Sequence, residues 1–159
     1  SGYRILRDDL FIFDDAGTGF MVRPGPPRLK LFPHVARQML TGERASIALN
    51  PFTDKRVYAL DASEADCNGA IVDCAVVLNP NAPAEGVNRL QGSSAVHALM
   101  ANVFNALDAG RDRETRLLES AARICRRCPL FELKLPRGLD ALPAHAREVL
   151  DSLRRSTGR

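Results

Sequence analysis

The chain has 159 residues, 45% of them apolar and 26% charged, with a formal net charge of +3. That size and balance predict one globular domain, and strands dominating early with helices late predict an α/β or α+β fold. No apolar run approaches the roughly 20 residues of a membrane span, no signal peptide is legible at the start, and the mild charge gives no argument for nucleic acid; a cytoplasmic protein is expected.

The first segment, "YRILRDDLFIFDD", is apolar and aromatic enough to predict a strand, but Asp8 and Asp9 interrupt it. A buried charge is costly unless it is paired or bound to a cation. A strand ending at this pair delivers both carboxylates to the rim of a cleft. There they suit Mg²⁺, which takes one or two carboxylates together with substrate phosphates. The alternative is a solvent-exposed turn, because Asp favours turns. Next, "LFIFDDAGTGFMV" predicts a hairpin turning between Asp14 and Gly19. After the stiff "RPGPP", Leu29 and Leu31 alternate with Arg28 and Lys30, as in a strand. "FPHVARQML" predicts a short helix with Pro33 in its first turn.

"RVYAL" predicts a further strand, and the continuous run from Ala70 to Asn79 predicts a central strand buried on both faces. The later half turns helical. Val96, Leu99, Met100, Val103, Phe104 and Leu107 recur at helical spacing, with Ser93 or Ser94 placed to cap the start and Gly110 to end it. Leu117, Leu118, Ala121 and Ile124 form the apolar stripe of a second helix. "PLFELKLP" predicts a strand with Phe131, Leu133 and Leu135 on one side, and "PAHAREVLDSLRR" a final helix with Val149, Leu150 and Leu153 inward.

Of the four cysteines, Cys125 and Cys128 form a CxxC, but at the end of a predicted helix, where the dipole disfavours thiolate. Cys67 and Cys74 are spaced too widely for a standard zinc knuckle, so plain thiols and no structural zinc are expected. His34, His97 and His145 are scattered and complete no catalytic set.

Several stretches, taken in order, resemble one family. "GYRILRDDLFIFD" resembles the strand running into a paired Asp-Asp in HPr kinase/phosphorylase-like proteins. "PGPPRLKLFP" is similar to the Pro-rich approach to a basic strand in HPr-kinase-related bacterial kinases. "TDKRVYAL", "AIVDCAVVL", "NRLQGSSAVHALMANVF" and "LFELKLPRGLDALPAHAREVL" resemble their later segments. The resemblance implies a phosphoenolpyruvate carboxykinase/HPr kinase-like fold, with a mixed sheet and C-terminal helices, of which residues 1–159 are the C-terminal portion. It implies ATP- and Mg²⁺-dependent phosphorylation of a hydroxyl on a peptide, protein or small molecule. Asp9 is then the proton acceptor and Asp8 its partner near the metal. Arg28, Lys30, Lys55 and Arg56 hold phosphate or an acidic substrate end, with Arg89 a further candidate. Homo-oligomerisation is left open, and neither nucleic acid nor membrane is expected as a partner.

The family's phosphate-binding loop, ending in Gly-Lys-Ser/Thr, is absent from these residues; "DAGTGF" has the glycines alone. Weak ATP binding by this chain on its own is therefore expected. The competing reading is a non-catalytic binding or scaffold domain that kept the fold. A third, a nucleic-acid module suggested by the Arg-rich tail, lacks interleaved aromatics.

Overall fold

The computed structural model describes residues 4–81, 84–103, 111–134, 147 and 150–155. The fold is mixed α/β, and its internal contacts divide the chain into two compact units, Ser1–Ile71 and Val72–Arg159.

The first unit holds two three-stranded antiparallel sheets. The predicted hairpin forms as β1 (Phe13–Asp15) and β2 (Phe20–Val22), with Asp15 opposite Phe20. Its turn closes through the Ala16 N–H donating to the Gly19 carbonyl at 2.9 Å and the Gly17 N–H donating to Asp15 Oδ1 at 2.9 Å. Gly17 sits at φ 80°, the left-handed region that glycine enters without a Cβ clash. The second sheet has β5 (Thr53–Ala59) between β3 (Arg28–Leu31) and β4 (Ser46–Asn50). The predicted helix appears as α1 (Pro33–Met39), which packs on β5 and buries Ala36. Tyr58 and Leu60 are buried core residues of this unit, and Leu29 faces Tyr58 in the ladder.

Two strand expectations are corrected here. The opening run is not a continuous strand. Ile5 makes an isolated parallel bridge to Ala65, Asp8 and Asp9 form a bend, and Leu10, Phe11 and Ile12 are exposed before β1 begins. The run Ala70 to Asn79 is not one central strand. It breaks into β6 (Ala70–Ile71), an edge strand paired with β2, and β7 (Ala75–Asn79), which belongs to the second unit. Asp73 lies in the break, where a carboxylate stays exposed instead of entering a strand covered on both faces. Ile71 and Leu78 are correspondingly exposed, at 54% and 68%.

In the second unit, β9 (Leu130–Lys134) is the central strand, parallel to β7 and antiparallel to β8 (Gly86–Leu90). Leu130, Phe131 and Leu133 are buried, and Phe131 is 1% exposed. The helix α2 (Gly92–Ala101) packs against α3 (Arg111–Arg127). The cap expected from Ser93 or Ser94 is replaced by Gln91, with no side-chain capping bond, and α2 stops at Ala101 with Asn102 as its C-cap. The stripe of α3 buries Ala121, half-buries Leu117 and Ile124, and leaves Leu118 exposed. Asp112 and Glu114 in its first turn and Arg126 and Arg127 in its last complement the helix dipole. The tail is helical at 150–155, with Leu150 and Leu153 half-buried. Phe104, Leu107, Gly110, Leu135, His145 and the side chain of Val149 lie outside the described residues.

Candidate functional site

The Asp8–Asp9 bend is fastened to β3. Asp8 Oδ2 accepts the backbone N–H of Lys30 at 2.8 Å, and Asp8 Oδ1 accepts the N–H of Asp9 at 3.0 Å. Asp9 stands at φ 66°, a conformation that Asp tolerates better than most L-residues. Its Oδ2 forms an ion pair with Lys30 Nζ. The bend thus binds both the backbone and the side chain of one lysine.

The approach of the chain to this point depends on a glycine. The Gly25 N–H donates to the Leu6 carbonyl at 3.0 Å. A Cβ on Gly25 would stand 2.6 Å from Arg7 Cγ and 3.3 Å from Arg7 Cβ, so only a bare Cα lets the segment before Asp8 lie this close.

The ladder then sorts the basic candidates. Lys30 faces Val57 and Leu31 faces Arg56, so neighbouring residues Lys55 and Arg56 project to opposite faces of the sheet. Lys55 falls on the Lys30 face. One further step of the register sets Phe32 across from Lys55, and Lys55 Nζ lies 5.4 Å from the Phe32 ring centroid. The other partner of Phe32 is His34, stacked at 5.8 Å with planes 19° apart. Arg28 shares this face by alternation and is exposed.

Arg56 is the exception. Its Nε donates to Ser46 Oγ at 2.7 Å and a terminal nitrogen donates to the Ser46 carbonyl at 2.8 Å, which holds it against β4 on the opposite face. Lys30 and Lys55 therefore share one face, where Asp9 meets the Lys30 side chain; Asp8 lies off the free edge of β3 on the Lys30 N–H, and Arg56 is on the other face. Arg89 belongs to β8 of the second unit. Phe32 was missed in the sequence. Its signal was present: it has the same strand parity as Lys30 and immediately precedes a Pro-initiated helix.

A second charged cluster in this unit is structural. Arg44 forms a two-pronged bond with Glu64, 2.6 Å on each arm, and Glu64 also accepts the Asp61 N–H at 3.0 Å. The bond from Arg44, then the Asp61 N–H, hold the Glu64 carboxyl below its usual value. The same bond raises Arg44.

The CxxC lies at the end of α3. Cys128 is buried and its N–H donates to the Ile124 carbonyl at 2.8 Å. Burial, followed by the neighbouring Cys74, Cys125 and Asp73, pushes its thiol up to about 11. Such a thiol is a poor nucleophile at neutral pH. Among the described residues no group of three His, Cys, Asp or Glu side chains is arranged to hold a metal ion. No helix among them is long and apolar enough to cross a membrane.

The chain matches no protein-family model, no curated protein and no solved structure.

Proposed function

We propose that this chain is part of an ATP-dependent kinase that phosphorylates a hydroxyl, with the acceptor chemistry on the sheet face of β3 and β5. One observation carries the reading: Asp9 pairs with the Lys30 ammonium on the face that also bears Lys55, while Asp8 fastens the bend to the Lys30 N–H at the strand edge. Phosphoryl transfer needs a carboxylate to take the hydroxyl proton and cations to hold phosphate charge, within one surface.

In this reading Asp9 is the proton acceptor. Its ion pair with Lys30 holds it aimed until an anion draws the ammonium away. Asp8 positions the bend through the Lys30 N–H. Each of its oxygens keeps a second lone pair, so the Asp8–Asp9 pair supplies the hard donors that Mg²⁺ takes. When bound, that ion neutralises phosphate charge. Lys30, Lys55 and Arg28 hold the anion. Arg56, bound to Ser46, is left out of the proposed site. The donor's phosphate cradle is not supplied here. "DAGTGF" is spent on the hairpin turn, so the reading requires a Gly-Lys-Ser/Thr loop from elsewhere.

The test is single-turnover transfer from ATP in a protein that joins such a loop upstream of this chain. Asp9→Asn preserves shape and removes the acceptor, and transfer is expected to fall by about 10²–10⁴-fold. The urea midpoint should barely move, since an exposed ion pair contributes about 1 kcal/mol or less. Transfer at the parent rate sinks the mechanism. An intact fold that binds phosphate but transfers none with either residue supports the second reading, a binding domain that kept the arrangement.

A further inference from the structure

We infer that Phe32 is a positioning residue that holds Lys55 as the second arm of a phosphate clamp whose first arm is Lys30; the inference rests on the anion-binding part of the proposed function. A lysine on a strand has a flexible four-carbon stem, and its ammonium samples a wide arc when nothing restrains it. Lys30 is restrained by Asp9. Among the described contacts of Lys55, the restraint on its ammonium is the Phe32 ring, 5.4 Å from Nζ to the centroid. The ring face carries negative potential, so it draws the ammonium without neutralising it. An acidic partner, as Asp9 is to Lys30, must be displaced by an incoming phosphate; an aromatic partner leaves the ammonium open to it.

Phe32 is itself fixed. It stands at the junction of β3 and α1, with extended φ −67° and ψ 146° as the N-cap residue, and His34 in the first turn of α1 stacks on it. The stack, the ring and the ammonium form a row: His34, Phe32, Lys55. Register sets this row beside Lys30, because Lys30 opposes Val57 and Lys55 is two residues from Val57 on the same face. Lys30 and Lys55 are thus diagonal neighbours on adjacent strands, about 7–8 Å apart, a spacing that suits oxygens of adjoining phosphoryl groups better than one small anion. The ligand class is therefore a polyphosphate or a phosphoryl group flanked by a second acid.

The experiment is calorimetric titration of the 159-residue chain with inorganic tripolyphosphate at low ionic strength, for the parent, Phe32→Leu, Phe32→Tyr, Lys55→Gln and the Phe32→Leu/Lys55→Gln pair. Phe32→Leu is expected to weaken binding about three-fold and Phe32→Tyr to restore it. In the Lys55→Gln background, Phe32→Leu should have no further effect, because Phe32 acts through Lys55. A purely structural role would instead lower affinity by the same factor in both backgrounds and shift the urea midpoint with it. Equal loss in both backgrounds, no loss on Phe32→Leu, or no tripolyphosphate binding by the parent each overturns the inference. Binding with the expected coupling but no transfer on Asp9 chemistry leaves the clamp standing and removes the kinase reading, so the two fail separately. Parallel titrations with Mg-ATP and with phosphoserine tell a nucleotide source of the phosphate from a phosphorylated acceptor.

Discussion

The central strands of two sheets, β5 in the first unit and β9 in the second, sit in the same position in their ladders and are used in opposite ways. β9 buries Leu130, Phe131 and Leu133. β5 buries Tyr58 and turns Lys55 and Arg56 to its two faces. A three-stranded sheet needs a hydrophobic face to be stable, and the second unit supplies it from its central strand. The first unit holds its sheet with fewer buried side chains and with charged fastenings: Asp8 and Asp9 on Lys30, Arg56 on Ser46, and Arg44 on Glu64. The candidate site thus lies on the sheet whose central strand buries fewer side chains.

The sharpest break of this comparison is Phe131→Ala. It should destabilise the second unit by about 3–5 kcal/mol, because a fully buried ring is removed from a close-packed strand. Hydrogen exchange across β7, β8 and β9 reads the loss directly. Slow exchange persisting through those strands would mean that β9 is not their core.

A smaller effect is expected on the polar side. Gly25→Ala should destabilise by about 1–3 kcal/mol, since the new Cβ meets the rooted end of the Arg7 side chain rather than its mobile tip. An unchanged urea midpoint would show that the segment before Asp8 yields freely.

The gentlest contrast is in pH. Glu64 in the first unit has its folded value below the usual 4.5, so its contribution is complete above that value and is lost as pH falls through the folded one. Glu132 in the second unit acts in the same direction, through Asn79 first. Cys128 acts at the other end. Its folded value stands at about 11 against an ordinary 9.0, so the unfolded chain releases the proton first and stability declines as pH rises from 9 towards 11. Urea midpoints measured from pH 3 to 11 should show an acid limb that Glu64→Gln shallows and an alkaline limb that Cys128→Ala shallows, since burial raises Cys74 and Cys125 as well. An alkaline limb unchanged by Cys128→Ala contradicts the burial assigned to that thiol.

Local chemistry made much of this legible. The β1–β2 hairpin followed from "DAGTG", whose Gly17 can take the turn's positive φ. The basic strand β3 followed from period-two alternation, and α3 from its apolar stripe. The run from Ala70 to Asn79 was weighed by its apolar average although one carboxylate decided it, and the opening segment took the turn that its aspartates had offered as the alternative to a strand end. Asp73 split the run from Ala70 to Asn79. Asp9 turned the opening segment out of strand geometry, and Asp8 took the N–H of Lys30. Adjacency already required Lys55 and Arg56 to face opposite ways; which one joins Lys30 depends on register with β3, and register is set by tertiary pairing that the sequence does not print.

The order β7-β9-β8 has a consequence for synthesis. The strand at the middle of that sheet is made after both of its neighbours, and Leu130 lies 55 residues beyond its partner Ala75. At ribosomal speeds of about 5–20 residues per second, β7 waits roughly 3–11 s for the strand that completes it. Through that interval the nascent chain carries Val76 and Leu78 on an unpaired strand edge, which is a template for the wrong partner. A transcript cut short anywhere before Leu130 would release the two flanking strands without their centre, and a holdase chaperone that grips extended apolar segments would find its substrate there.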